Sequence, residues 1–187
     1  SLTLKQNEKI TNFTDLQNSK ASQIILSSID SLLSKSKINV SELNAIVFNK
    51  GPASFTGTRV AASVCQGIGY SCNIPVIGVS SLSLMAFSYY SNSNHSQIVC
   101  IKKAYSDKFY VGKFDVNNNG YETVEAISLL NIDQLSFNKD NHYISDSWDK
   151  IISALGINTL NAVNYFNEDS SSNSEVLLKY AEKHCVF

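Results

Sequence analysis

Short alternating segments and one longer amphipathic segment open the chain. Residues 1–6 alternate weakly between apolar and polar positions, and residues 9–14 resume the alternation after a polar turn, which predicts a two-stranded hairpin. From residue 20 to residue 36 apolar side chains recur with the helical period, and either Asn18 or Ser19 is expected to cap this helix. The apolar stripe consists of Ala21, Ile25, Ile29, Leu32 and Leu33, with Leu26 at its edge.

A strand, a glycine-rich loop, a second helix, another strand and a third helix follow. Residues 45–48 form an apolar run that is typical of a buried strand, and the run leads directly into the loop. Residues 74–79 predict another buried strand. Ser80 and Ser81 can cap a third helix that extends to about residue 90.

After the polar stretch at 91–96, which suggests a linker, the pattern of strands and helices starts again. Strands are predicted at residues 98–102, 109–114, 121–127 and 142–145, and helices at 147–155 and 174–184. Residues 167–173 are predicted to form a loop. Both halves therefore place strands first and then a helix, a strand and a helix. This order predicts an α/β architecture repeated twice, although the two halves share little sequence identity.

The loop before the second helix raises the question of phosphate binding. A Walker loop has four residues between its glycines and a lysine after the second, whereas five residues separate Gly51 from Gly57 here and Thr58 replaces the lysine. Backbone NH groups at the start of a helix can still bind an anion. We favour the simpler interpretation, in which Ser54 and Thr56 cap the helix and the two glycines permit a tight turn.

The second helix carries almost no charge. One face is apolar and consists of Val60, Ala61, Val64, Cys65, Ile68 and Cys72. The opposite face has small or uncharged residues, namely Ala62, Ser63, Gln66, Gly67, Gly69 and Tyr70. A glycine inside a helix costs about 1 kcal/mol relative to alanine, so these glycines are expected to permit close packing.

The first helix has a comparable outward face, on which Ile24, Ser27, Ser28 and Ser31 carry no charge. Two neighbouring faces of this kind predict a helix-to-helix interface with another subunit. The residues expected in that interface are Ile24, Ser31, Arg59, Ser63, Gly67 and Tyr70. The alternative for the first helix is a serine-rich face in contact with solvent.

Arg59 lies near the positive end of the second helix dipole, where a cation is unfavourable. We therefore expect either an acidic partner or a bound anion beside it. A salt bridge to a carboxylate of its own lobe is the simpler of these alternatives.

The balance of charges excludes some partners. Fifteen basic and 16 acidic residues give a net charge of -1, which does not favour a protein that binds nucleic acid by itself. The four cysteines form no CxxC pair and no zinc-ligand spacing, so we expect buried, reduced thiols in a reducing cytosol. No apolar run approaches the ~20 residues that a membrane-spanning helix needs. No signal peptide is evident, although the true start of the chain is expected to be missing because Ser1 is not a methionine.

Residues for hydrolytic catalysis are not grouped in the sequence. A zinc peptidase needs paired ligands such as HxxxH, whereas His95, His142 and His184 are scattered. Serine catalysis by Ser54 would need a histidine base beside it, and nothing in the sequence predicts one. We therefore expect no catalytic residue, no metal site and no cofactor.

The stretch Asn49-Lys50-Gly51-Pro52-Ala53-Ser54-Phe55-Thr56-Gly57-Thr58-Arg59 resembles the GPGSFTGxR signature of the TsaB (YeaZ) family. The similarity continues through residues 66–67 to 74–82, where the family has IPVVGVSSL, and it covers about residues 19–87. The resemblance implies an actin-like α/β fold of the sugar-kinase and heat-shock-protein superfamily, built from two duplicated lobes at residues 1–94 and 95–187. The last helix is expected to pack back on the first lobe.

The resemblance also implies a non-catalytic subunit of the machinery that makes threonylcarbamoyladenosine in tRNA. Its partner TsaD holds the metal and transfers the threonylcarbamoyl group to the adenosine beside the anticodon, and the ATPase TsaE joins the pair. The first two helices contact TsaD or a second copy in this family, and tRNA is reached only through the complex. A cytoplasmic location follows from this role.

Three departures from the family pattern affect these expectations. The family's first strand, which carries an Asp followed by Thr or Ser, is absent, so residues 1–6 would be the second strand. Lys103 stands where the family has an aspartate, and Lys20 where a histidine is common. Because an acidic group at 103 would help to hold a metal-bound nucleotide, Lys103 argues against the main alternative, an ATP-binding phosphotransferase of the same fold. A metallopeptidase-like hydrolase is the remaining alternative.

Overall fold

The computed structural model describes residues 1–15, 20–93, 95–117, 120–156, 163–167 and 174–185. Nine strands and five helices are formed by these residues, together with two short 3-10 turns. The strands are β1 Leu2–Gln6, β2 Lys9–Phe13, β3 Ile46–Gly51, β4 Val76–Ser80, β5 Gln97–Lys103, β6 Lys108–Asn117, β7 Gly120–Asn131, β8 His142–Ser145 and β9 Asn164–Asn167. The helices are α1 Ala21–Ser36, α2 Phe55–Cys72, α3 Ser81–Ser93, α4 Trp148–Leu155 and α5 Ser174–His184.

Contacts within the chain group into two units. The first unit contains Ser1–Ser80 and Asn173–Phe187, and the second contains Ser81–Ser172. Relative to the predicted lobes at 1–94 and 95–187, α3 belongs to the second unit and α5 to the first. The duplicated-lobe organisation itself stays a prediction.

The first unit is built from two pairs of strands and three helices. β1 and β2 form an antiparallel hairpin, and β3 pairs with β4 in parallel. α5 is tied to the hairpin by side chains: Thr3 Oγ1 donates to Ser174 Oγ at 2.7 Å, Lys5 forms an ion pair with Glu182, and Asn12 donates to Glu175. The last helix therefore packs against the first two strands of its own unit.

The start of α1 differs from the prediction. Its N-cap is Lys20, whose side chain makes no capping hydrogen bond, and the predicted caps Asn18 and Ser19 lie outside the described residues. The helix ends at Lys37, where a left-handed backbone (φ 56°) directs its NH to the carbonyls of Leu33 and Ser34. α1 is thus terminated by backbone geometry rather than by a glycine.

The second unit contains one five-stranded sheet of order β7-β6-β5-β8-β9. β5 is central and pairs antiparallel with β6 and parallel with β8. Because side chains alternate along a strand, β5 contributes to two buried clusters on opposite faces of the sheet. Ile98 and Cys100 pack in a cluster with residues of α3, whereas Val99 and Ile101 pack in a cluster with residues of α4.

The sequence pattern does not predict β9. The strand has four residues, all exposed, so its sequence carries no periodic apolar signal. Trp148 Nε1 donates to the Phe166 carbonyl at 2.6 Å, and the Trp148 ring lies 5.1 Å from that of Tyr165. β9 is therefore held on β8 partly by a side chain of α4.

An ion pair joins the carboxyl ends of β5 and β8. Lys102 Nζ lies 2.8 Å from Asp146 Oδ2, and Asp146 Oδ1 accepts from the Lys103 NH and the Ser147 hydroxyl. Burial alone would raise the pKa of Asp146, but the hydrogen bond and charge of Lys102, together with the other two donors, bring the pKa below its ordinary value of 3.8.

The depressed pKa of Asp146 predicts a pH-dependent contribution to stability. A carboxylate with a lowered folded pKa stabilises the protein above its unfolded pKa, and this contribution is lost as the pH falls through the folded pKa. Asp146→Asn should therefore lower the free energy of unfolding at pH 7, by up to about 1 kcal/mol for a partly exposed pair. Urea unfolding should show the same free energy for both proteins once the pH is well below 3.8. A constant difference down to that pH would contradict the assignment.

Two glycines of α2 provide a second test. A Cβ at Gly69 would lie 2.2 Å from Val76 Cγ2 and 2.9 Å from the Ile74 carbonyl oxygen, whereas a Cβ at Gly67 would meet nothing within 4 Å. Gly69→Ala should destabilise the protein by about 1–3 kcal/mol through overpacking. Gly67→Ala should stabilise it by about 0.5–1 kcal/mol, because alanine is the better helix former. Thermal melts of the two variants should shift in opposite directions, and equal shifts would refute this packing.

Candidate partner interface

The turn before α2 depends on Gly51. This residue is buried and has φ 93°, a backbone conformation that side chains rarely adopt. A Cβ there would also lie 3.2 Å from the Ala53 nitrogen. The Gly51 NH donates to Asn49 Oδ1 at 2.9 Å, so the side chain of β3 helps to shape the turn.

Ser54 caps α2, and its hydroxyl accepts from the Gly57 NH at 3.4 Å. Thr56, predicted as a second cap, lies inside the first turn of the helix. The threonine that bonds to the loop is Thr58, whose hydroxyl donates to the Ser54 carbonyl at 2.9 Å. The prediction that both glycines permit the turn holds only for Gly51. Gly57 has no positive φ, whereas Gly51 does.

Most of the outward face that the sequence predicts for α2 is exposed, although Gly69, which was placed on it, is buried and Ala62 is half-buried. Tyr70 is 94% exposed and Phe55 is 73% exposed. The other exposed residues of this face are Arg59, Ser63, Gln66 and Gly67. Arg59 is the only charged residue of the helix. The sequence also contains no carboxylate between Glu42 and Asp107. We call Phe55, Arg59, Ser63, Gln66, Gly67 and Tyr70 the α2 face.

Arg59 interacts with the residue one turn earlier. Its guanidinium lies 3.4 Å from the centroid of the Phe55 ring, and Nη1 donates to the Phe55 carbonyl at 3.2 Å. Within the described ranges no carboxylate forms an ion pair with it, so the predicted salt bridge inside its own lobe is not present there. A cation over an aromatic ring contributes about 0.5–1 kcal/mol at an exposed site. The Phe55 ring and the Arg59 guanidinium therefore lie stacked on each other at the surface.

The outward face of α1 is rotated from the predicted one. Ser28 is buried at 5% exposure, and Ile24 and Ser31 are half-buried, whereas Leu26 is 64% exposed. Serine is small enough to pack closely, so the buried stripe runs through Ser28, Leu32 and Ser36. The prediction placed the serines outward because they are polar. Ile24 and Ser31 consequently lie at the margin of the exposed face.

Side chains that catalysis would need are not gathered at the α2 face. His95 and His142 lie together in the second unit, and His184 lies in α5. Within the part of the chain that the structure describes, no group of three or more His, Cys, Asp or Glu could hold a metal ion. The Lys103 ammonium lies 4.6 Å from the Phe109 ring centroid and donates to the Ser106 carbonyl, so it is held within its own hairpin.

The apolar pattern of the sequence does not predict two features of this surface. The Phe55–Arg59 stack has the i, i+4 spacing of neighbours on a helix, and this spacing was available in the sequence. The exposure of Leu26 depends on how α1 is rotated about its axis, which the apolar stripe alone did not determine. No helix among the described residues has the length and apolar character to cross a membrane.

Several known proteins are similar to this chain in sequence or in fold. The model of the family described as "TsaD: tRNA N6-adenosine threonylcarbamoyltransferase" matches residues 15–166. Proteins named tRNA threonylcarbamoyladenosine biosynthesis protein TsaB are similar to the chain. That of Buchnera aphidicola subsp. Acyrthosiphon pisum is 33% identical over 64% of this chain and 54% of its own length. That of Buchnera aphidicola subsp. Schizaphis graminum is 32% identical over 68% and 63%.

The relative from Escherichia coli is 29% identical over 56% of this chain and 47% of its own length. The chain thus spans about half to two thirds of the length of the curated relatives it matches. Among solved structures, a Pseudomonas aeruginosa protein with similarity to peptidase YeaZ superposes with a TM-score of 0.77 at 21% identity, over 96% of this chain and 83% of that one. YeaZ from the same organism superposes with a TM-score of 0.75 at 21% identity, over 96% and 84%.

The structural likeness shows the shared fold, and the sequence matches cover the α2 face and its loop. The chain therefore belongs to the family described as TsaD, tRNA N6-adenosine threonylcarbamoyltransferase, and within it to the TsaB (YeaZ) homologues.

Proposed function

We propose that the chain is a non-catalytic subunit that binds a TsaD-like catalytic subunit through the exposed faces of α2 and α1. In this role it supports transfer of the threonylcarbamoyl group to the adenosine beside the tRNA anticodon in the cytoplasm. A TsaE-like ATPase joins the complex, and tRNA is bound only by the assembly. The observation that carries the proposal is the α2 face, an exposed helical surface without a carboxylate.

The composition of the α2 face suits a protein partner. Tyrosine, phenylalanine and arginine are enriched at the centres of interfaces, where they contribute most of the binding free energy. Tyr70 and Phe55 expose most of their rings, and Gly67 leaves room for a partner helix to approach. Leu26 of α1 is a further exposed apolar side chain in the same unit. The same surface would also serve a homodimer.

The fold supports this assignment by its strand order. In the second unit the order β7-β6-β5-β8-β9, with a hairpin on one side of β5 and parallel strands on the other, is the order that we expect of an actin-like lobe. The first unit contains the matching elements, a hairpin and a parallel pair. We infer that both units are actin-like lobes.

Substitutions on the α2 face should weaken assembly without unfolding the first unit. Gly67→Asp would bury an unpaired carboxylate at a helix seam and should reduce affinity for the TsaD-like subunit about 100-fold or more. Tyr70→Ala should reduce it about tenfold. Both should retain the melting temperature of the parent, because Tyr70 is exposed and the space around Gly67 is open. Calorimetric titration of the full-length chain with the TsaD-like subunit measures the affinity.

Ser41→Asp is the matched control, since it adds the same charge at an exposed position outside α1 and α2. It should bind normally. Normal binding by Gly67→Asp together with a lowered melting temperature would show that this face is core and that the interface lies elsewhere. The contribution of α1 to the interface is better tested by Leu26→Asp than by Ile24→Asp. Leu26 is exposed, whereas Ile24 is half-buried, so a carboxylate at 24 would also disturb the packing of the helix.

ATP should not bind tightly to the chain alone. Lys103 stands at the end of β5 and is engaged by the Phe109 ring and the Ser106 carbonyl, so this hairpin presents a cation rather than a carboxylate for a metal-bound nucleotide. Titration of the purified full-length chain with magnesium and ATP should give no dissociation constant in the low micromolar range. Tight binding would instead favour the phosphotransferase alternative.

A further inference from the structure

Four rings from four segments of the second unit meet at the beginning of β8. They belong to Tyr89 of α3, His95 of the α3–β5 connection, His142 of β8 and Phe166 of β9. The His95 and His142 rings are stacked, with centroids 3.8 Å apart and planes 27° apart. His142 stacks in turn on Phe166 at 5.5 Å and 10°, and Tyr89 contacts Phe166 at 4.8 Å. We call these four residues the ring cluster.

The environment of His142 favours its neutral form. Its Nδ1 lies 2.8 Å from the Tyr89 hydroxyl, and the residue is half-buried. Burial lowers the pKa of His142, and the neighbouring His95 lowers it further. Tyr89 and His95 are the titratable groups that face it among the described residues. The strands beside it place uncharged residues in register, Ile98 of β5 and Asn164 of β9.

The attachment of β9 depends on this cluster. The strand has only four residues, and its Phe166 ring contacts both His142 and Tyr89. Its other side-chain anchor is Trp148, which donates to the Phe166 carbonyl and lies against the Tyr165 ring. A change in the stack is therefore transmitted to a strand whose other described restraints are its pairing with β8 and these contacts with Trp148.

We propose that the stacked pair His95–His142 is an acid-sensitive clamp that releases β9 from the sheet when both imidazoles are protonated. Two positive rings at stacking distance repel each other, and opening the stack removes the support of Phe166. At neutral pH the uncharged rings attract and the strand stays in place.

The sign of the effect follows from the direction of the shift. The pKa of His142 is lower when its ring is stacked in the folded protein than when the ring is exposed to solvent. Protonation of His142 therefore favours the open form. The closed form is fully favoured above the ordinary histidine pKa of 6.5 and is lost as the pH falls through the lower folded value. The clamp therefore opens on the acid side of neutrality.

Trp148 is a built-in reporter, because it is the only tryptophan of the chain and its indole is bonded to β9. Its emission should be followed from pH 8 to pH 5 in the full-length protein, while NMR of the imidazole protons follows the titration of His142. The parent should show a step in emission below pH 6.5. In His95→Gln this step should disappear or move to lower pH, whereas the titration midpoint of His142 should rise because the second charge is gone.

In His95→Gln the emission step should thus move to lower pH while the midpoint of His142 moves to higher pH. Simple destabilisation of the protein would instead move the emission step to higher pH. His184→Gln is the control, because His184 is the remaining histidine of the chain and lies in the first unit. This variant should keep the emission step of the parent. If His95→Gln fails to fold, His95→Phe keeps an aromatic ring in the stack without the charge and should show the same two shifts. An unchanged emission step in the folded variant, or a His142 midpoint that does not rise, would overturn the proposal.

Discussion

The packing of α2 on the parallel pair β3–β4 determines what the candidate interface can present. At Gly69 the helix approaches β4 so closely that a single added carbon would overlap Val76. This contact fixes the rotation of the helix about its axis, and a helix with a fixed rotation exposes a fixed set of side chains. Tyr70, Arg59 and Phe55 point outward because the opposite side cannot turn away from the strand.

The sequence predicts most of the division of α2 into an inner and an outer face, because the apolar stripe and the lack of charge agree there. Gly69 is the exception, since the pattern places it on the outer face whereas it is buried against Val76. For α1 the signals conflict, since small serines occupy the centre of the buried side. Polarity was then a poor guide, because serine is small enough to be buried where the helix packs closely, even though the Ser36 hydroxyl has no hydrogen-bond partner among the described residues. The rotation of α1 depends on packing partners that are distant in sequence.

Other details depended on tertiary structure in a similar way. β9 pairs with β8 and is held there by Trp148 and the ring cluster, and none of these contacts leaves a periodic trace within its four residues. The sequence analysis expected a carboxylate or a bound anion beside Arg59, whereas among the described residues its guanidinium lies over the ring of Phe55 one turn away. A guanidinium that stacks on an aromatic ring keeps its outer NH groups available for hydrogen bonding. The stack therefore orders the arginine without neutralising it.

The hydrogen bonds between the β1–β2 hairpin and α5 have a consequence for the order of folding. Thr3 and Ser174 are bonded although 171 residues separate them, and the whole of the second unit lies between them in sequence. During synthesis the second unit can complete its sheet from segments that are close in sequence, and the first unit must wait for its last helix to emerge. Until α5 docks, the hairpin lacks these side-chain contacts. The surface of α2 is thus displayed by a unit that is completed only after the second unit has been synthesised.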